Sequence, residues 1–189
     1  TVNNTAVGYK ALEANTGTSN TALGCKALDE NTTGNQNTAV GDHALDNNTT
    51  ASSNTAVGYI ALEMNTTGGS NVAVGAEALE ANTTGARNTA VGFEALHLST
   101  ADDNVAIGNY ALEQNTTGNK AVAVGSYALD NNTTGSDNIG IGYHALGVNT
   151  TGGNNTAIGY KALEDNNASD NTAVGKNALT ANTTGTNNT

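Results

Sequence analysis

Apolar and polar positions recur along this chain with a short, nearly constant period. Each copy sets a Thr, Val or Ile, then a small residue, then a Val, Leu or Ile, directly before a glycine, as in Thr5-Ala6-Val7-Gly8 and Val72-Ala73-Val74-Gly75. That glycine recurs at Gly8, Gly24, Gly41, Gly58, Gly75, Gly92, Gly108, Gly125, Gly142, Gly159 and Gly175, in steps of seventeen residues with sixteen at three places. An Ala-Leu pair follows it in every copy, from Ala11-Leu12 to Ala178-Leu179. Self-similarity at so short a period marks stacked units, none of which can bury its apolar face alone.

Within the copy, alternation with a period of two predicts a strand, with β-branched residues on one side and Ala or Gly on the other. Replacement of Thr5-type residues by Val72, Val105, Val122 and Ile139 points to the β-branched side facing inward. The Ala and Gly side then forms a flat outer surface that a second sheet or chain can approach closely, so association is expected there. The Ala-Leu pair predicts the start of a second short strand with Leu inward. Asn-Thr-Thr-Gly supplies turn chemistry, and the sixteen-residue copies shorten only this turn, at NTGTSN, STADDN and NNASDN. A helical alternative has about six residues between breakers, well short of the roughly 12 to 15 that an isolated helix needs. The expected fold is all-β, a parallel β-solenoid of about eleven coils of 16–17 residues. It forms one repetitive domain over residues 1–189 and reads as a fragment of a longer array.

Composition narrows the core. Of 189 residues, 37% are hydrophobic but only 4% aromatic, with no Trp or Pro, so the interior must be thin. One coil buries about two apolar side chains worth about 1.5–3 kcal/mol each, against about 1–2 kcal/mol per residue of ordered backbone. Pairing between coils and ladders of Asn and Thr must supply the difference. Asn recurs at the strand entry (Asn4, Asn20, Asn37 and onward) and at the turn entry (Asn15, Asn31, Asn48 and onward), in the positions such ladders need.

Charge and candidate chemistry add less. The net charge is −11, with six Lys plus Arg, which disfavours nucleic acid. No apolar run is long enough to span a bilayer. Acids recur after the Ala-Leu pair at Glu13, Asp29, Asp46, Glu63, Glu80, Glu113, Asp130 and Glu164. Stacking would align them about 4.8 Å apart, as a solvated edge that limits lateral aggregation or as a weak divalent-cation ladder. The turn consensus also spells the glycosylation pattern at Asn31, Asn48, Asn65, Asn82, Asn115, Asn132, Asn149 and Asn182. His43, His97 and His144 lie in distant copies, Cys25 is alone, and no nucleophile or metal motif appears, so neither catalysis nor a cofactor is expected. Tyr9, Tyr59, Phe93, Tyr143 and Tyr160 share the position after the glycine, where packing or surface aromatics are expected ahead of a sugar platform. Regular Thr columns, of the Thr5 type and in the turn, raise ice binding as a further possibility.

At NTAVGYKALE, NVAVGAEALE and NVAIGNYALE the chain resembles the head repeats of YadA-like trimeric autotransporter adhesins, and its NTAVGY and NTTG phrases are similar to repeats of bacterial and phage tail-fibre-type proteins. The resemblance covers all eleven copies. It implies a left-handed parallel β-roll in which three chains associate, displayed at the cell surface or on a virion and used for attachment. It places Val7, Val40, Val57, Val74, Ile107, Val124, Ile141, Ile158 and Val174 at the family's core position. The copies here are longer than the adhesin repeat, and the NTTG turn is an addition to it. The expected function is therefore a rigid extracellular rod of a fibre or adhesin, self-associating as a homotrimer or an end-to-end filament and meeting a host or surface glycan or protein. The alternative is a solenoid that binds glycan, divalent cation or ice directly.

Overall fold

A computed structural model describes residues 3–189. Eleven strands of three residues, β1 (Thr5–Val7), β2 (Thr21–Leu23), β3 (Thr38–Val40), β4 (Thr55–Val57), β5 (Val72–Val74), β6 (Thr89–Val91), β7 (Val105–Ile107), β8 (Val122–Val124), β9 (Ile139–Ile141), β10 (Thr156–Ile158) and β11 (Thr172–Val174), form one parallel sheet in chain order. Equivalent positions pair throughout, as Thr38 with Thr55 and Ala39 with Ala56. Register survives the short copies: Thr5 pairs with Thr21, Thr89 with Val105 and Thr156 with Thr172. The turn absorbs each deletion, and among the described residues there is no helix. The chain is a β-solenoid.

The faces of the strand are the reverse of the expected ones. The central Ala is inside, with Ala22, Ala39, Ala56, Ala73, Ala90, Ala106, Ala123 and Ala157 fully buried. The β-branched residues on either side point outward and are half-buried or exposed. The interior is too narrow for two Val side chains per strand, because the Ala-Leu pair fills it from the opposite wall: Ala27-Leu28 through Ala162-Leu163 are fully buried in every intervening copy. Association through an Ala face is thereby excluded, since that face is the core.

The second strand is also absent. The Ala-Leu segment is a run of turns in which Ala44, Asp46 and Asn48 donate their amides to the carbonyls of Gly41, His43 and Leu45 within the coil. The residues between them, His43 (φ 56°) and Leu45 (φ 53°), are left-handed, and the same two positions are left-handed in every copy. A third left-handed residue, such as Ser53 (φ 64°), precedes each strand-entry Asn. These residues turn their amides out of the coil: His43 donates to Cys25 in the preceding coil, Leu45 to Ala61 in the following one, and Ser53 to Asn35 in the preceding one. The strand-terminal glycine is left-handed too, and a side-chain carbon at Gly92 (φ 139°) would lie 2.5 Å from the Gly108 oxygen, so only glycine fits that column.

Two Asn ladders complete the interior. In the strand-entry ladder the Asn37 amide donates to Asn20 Oδ1 (2.9 Å), and Asn37 Nδ2 donates to the Ala51 carbonyl (2.8 Å). In the turn-entry ladder Asn65 Nδ2 donates to Asn48 Oδ1 (2.9 Å) and to the Gly68 carbonyl (3.0 Å). Thr49 Oγ1 donates to the Thr66 carbonyl (3.0 Å), which binds the turn Thr column into the same network. The strand-entry ladder has one interruption. Ala121 donates its amide to Asn104 Oδ1 (2.9 Å) but has no side-chain oxygen to offer the Asn138 amide.

Replacing Ala121 with Asn restores that acceptor at a buried position. The substitution Ala121→Asn is expected to stabilise the fold by about 1 kcal/mol, and Asn71→Ala to destabilise it by about 1–3 kcal/mol. Denaturant unfolding midpoints check both, and an unchanged or lowered midpoint for Ala121→Asn contradicts the ladder's energetic role.

Candidate functional site

The turn after each Ala-Leu pair brings the predicted acids into one column. Glu13, Asp29, Asp46, Glu63 and Glu80 follow one another in successive coils, as do Glu113 and Asp130, while Glu164 stands apart. The turn's amide bond fixes the backbone at this position, as between Asp46 and His43 or Glu63 and Ile60. The column is less solvated than expected. Glu13 is exposed, Asp46 is buried at 6% exposure, and the other six are half-buried. Burial raises the Asp29 and Glu80 carboxyls above the usual range, and it pushes Asp130 up to about 6. Lys10 beside Glu13 (2.7 Å) lowers the Glu13 carboxyl, and Lys161 pairs with Glu164 (2.8 Å).

The three histidines, scattered in the sequence, all reach this column. His97 takes the acid's own position in its coil. His43 and His144 stand three residues earlier in theirs, at the left-handed position from which Lys10 and Lys161 also reach the acids. His43 Nδ1 lies 2.6 Å from Asp46 Oδ2 and 3.8 Å from Glu63 Oε1, and His97 Nδ1 lies 3.5 Å from Glu80 Oε2. At His144 the acid's position is held by Gly147, and His144 Nδ1 and Asp130 Oδ1 are both buried without a hydrogen-bond partner. Linear spacing hides these groupings, because ligands from adjacent coils are separated by a whole period.

The structure corrects the glycosylation reading. Asn31, Asn48, Asn65, Asn82, Asn115, Asn132 and Asn149 are fully buried, with Nδ2 donating inside the ladder, and Asn182 Nδ2 donates to Asn166 Oδ1 (2.7 Å) and the Gly185 carbonyl. A glycan on these nitrogens is incompatible with the folded coil.

Aromatic residues form a second stripe. Phe93, Tyr110, Tyr127, Tyr143 and Tyr160 run up one corner together with His144, and Tyr110 and Tyr127 join from the position beside the one the sequence singled out. Tyr110 and Tyr127 stack at 5.0 Å and 13°, and Tyr143 and Tyr160 at 5.5 Å and 14°. These stacked pairs alternate with edge-to-face contacts, at 87° between Phe93 and Tyr110 and 77° between Tyr127 and Tyr143, so the rings pack on one another and do not lie in one plane as a flat sugar platform would. Tyr9 and Tyr59 stand apart and exposed.

The outer strand face is a uniform surface that runs along the whole sheet. Each of the eleven strands contributes two outward side chains, all of them Thr, Val, Ile or Leu. The positions that the adhesin resemblance assigns to a core lie here and are partly or well exposed, including Val7, Val74, Ile107, Ile141, Ile158 and Val174. A shallow polar depression lies at the shortened turn STADDN, lined by Thr100, Ala101, Asp102, Thr117 and Asn119. Its one carboxylate, Asp102, is engaged by the Ala86 amide and Arg87. Among the described residues no helix is long and apolar enough to cross a membrane. No protein family, curated protein or solved structure matches the chain.

The raised Asp130 carboxyl carries a pH signature. Because the folded chain binds this proton more tightly than the unfolded one, the contribution favours folding below the ordinary carboxylate range and declines as pH rises toward and through about 6. Asp130→Asn removes the charge and places an amide donor beside His144 Nδ1. Its melting temperature is expected to exceed the parent's at pH 7, with the difference shrinking at pH 4. A variant less stable than the parent at both pH values contradicts this assignment.

Proposed function

We propose that this chain is a rod-forming segment of an extracellular fibre or surface adhesin, which spaces or presents binding sites at a cell or virion surface. The observation that carries this reading is the unbroken one-to-one pairing of eleven coils, without a hinge or inserted domain. At a strand spacing of about 4.8 Å the stack is about 50 Å long. A shape so uniform suits separation and display.

Self-association belongs to this reading, through the outer strand face and not through an Ala face. That surface is uncharged along its whole length, its second rank from Val7 to Val174 is wholly Val, Ile or Leu, and exposed apolar side chains in a continuous row mark interaction sites. The adhesin resemblance assigns Val7 and its equivalents to a core. On a single coil they lie outside, so a core there is one shared by associating chains, three in the resembling family. One observation favours a second reading, ice binding: the Thr-rich first rank, with Thr5, Thr21, Thr38 and Thr55 in succession, faces outward.

Light scattering and small-angle X-ray scattering test the proposal. The parent is expected to form multimers of elongated shape, and Val74→Lys with Val124→Lys to release single rods of 18.8 kDa with unchanged circular dichroism. A compact particle contradicts the rod. A parent that is already a single rod contradicts association through this face. Thermal hysteresis that disappears in Thr38→Lys would favour ice binding instead.

A further inference from the structure

The acidic column is discontinuous in chemistry, and the histidines make it so. Carboxylates alone along a half-solvated edge attract a diffuse cation atmosphere without a defined site. An imidazole among them supplies a directional nitrogen donor. Two places bring one imidazole and two carboxylates close enough to share an ion: His43, Asp46 and Glu63, and Glu77, Glu94 and His97, with one ligand atom from each residue within 4.8 Å of the others. Each set joins two successive coils. His43 and Asp46 belong to one coil and Glu63 to the next, while Glu77 precedes Glu94 and His97.

We propose that these two clusters are intercoil binding sites for a divalent transition ion of the zinc class, each one stapling a pair of neighbouring coils. Zinc bonds of about 2.0–2.2 Å to nitrogen and oxygen set tetrahedral ligand atoms roughly 3.3–3.6 Å apart. His43 Nδ1 stands 2.6 Å from Asp46 Oδ2 and 3.8 Å from Glu63 Oε1, on either side of that spacing, so modest side-chain shifts reach it. A bound ion would replace the proton shared by His43 and Asp46. Asp46 is buried, which orients one ligand in advance. At the second cluster Glu80 Oε2, 3.5 Å from His97 Nδ1, offers a further donor. Calcium and magnesium, which require six or more oxygen ligands or retained water, fit an imidazole with two carboxylates poorly.

An independent observation on the same column points the same way. Around the third imidazole, His144 Nδ1 and Asp130 Oδ1 are buried and find no partner within the protein. Both face the space above Gly147, where a side-chain carbon would lie 2.6 Å from the nitrogen and 3.3 Å from the oxygen. The column thus carries donor atoms that the fold itself does not satisfy. There the second carboxylate is missing, so this location is a weaker, two-ligand version of the other two.

The inference stands apart from the fibre reading and is tested on the full chain with zinc alone. His43→Asn uses the residue that Asn177 places at the same left-handed position (φ 56°), and His97→Thr uses the residue that Thr180 places at the same position of its coil and adds no carboxylate, so both are compatible with the coil. Calorimetric titration is expected to give two tight zinc equivalents in the parent, one in each single variant and none in the double variant. Zinc is expected to raise the parent's melting temperature but not the double variant's. If His97→Thr does not fold, Glu94→Gln removes a ligand from the same cluster and is expected to lose the same equivalent. No tight zinc binding in the parent, equal uptake by parent and double variant, or calcium and magnesium binding as tightly as zinc would each overturn the proposal.

Discussion

Closing a coil in seventeen residues is the constraint from which the rest of this molecule follows. A three-residue strand leaves most of the perimeter to corners, and the corners are made by left-handed residues that are mostly not glycine, including a leucine in every copy. Such a conformation costs roughly 1–2 kcal/mol per residue. The amides of these residues are among those that leave the coil to bond its neighbours above and below, and a net hydrogen bond is worth about 0.5–1.5 kcal/mol. Burial of the leucine adds about 1.5–3 kcal/mol. The terms balance only when another coil is present, so stacking is a condition of each coil's own geometry.

That geometry decides what the interior can hold. Backbones approach so closely at Gly92 and its equivalents that no side chain fits, and the strand wall admits only Ala or Gly opposite a single Leu. The remaining space is filled by Asn, whose amide both donates and accepts and so satisfies carbonyls and amides that a narrow apolar filling would strand. Low aromatic content follows from the same dimensions: rings have no room inside, and they stack along an outer corner. The carboxylate column is likewise set by the turn, which places one side chain per coil at a half-buried edge, where Lys10 and Lys161 from the left-handed position offset its repulsion and His43 hydrogen-bonds to it.

Much of this was legible in the repeat. The period, the parallel register, the inward Leu, the ladder role of Asn and the loss of single residues within the turn all follow from which positions vary and which do not. The orientation of the strand was not, because alternation shows that two faces differ without showing which is inside. Ala and Val are both apolar, and replacing Thr5-type residues by Val reads as burial unless the interior is known to be full. The Ala-Leu segment resembled a strand because its left-handed residues, Asn177 apart, are neither Gly nor Asn, and left-handed leucine has no compositional signature. His43 and Glu63 are twenty residues apart in the sequence, as Glu77 and His97 are. Such pairs become visible only when each residue is assigned to a position within its coil.

The register at the short copies has a consequence for how such a chain can change over time. Because the turn takes up a missing residue without disturbing the strands on either side, and because each coil contacts only the one above and the one below, unequal recombination between copies can insert or remove a whole coil while the strand register and the Asn ladders continue across the join. A change in copy number therefore alters reach in increments of one strand spacing. Length is the property most open to selection here.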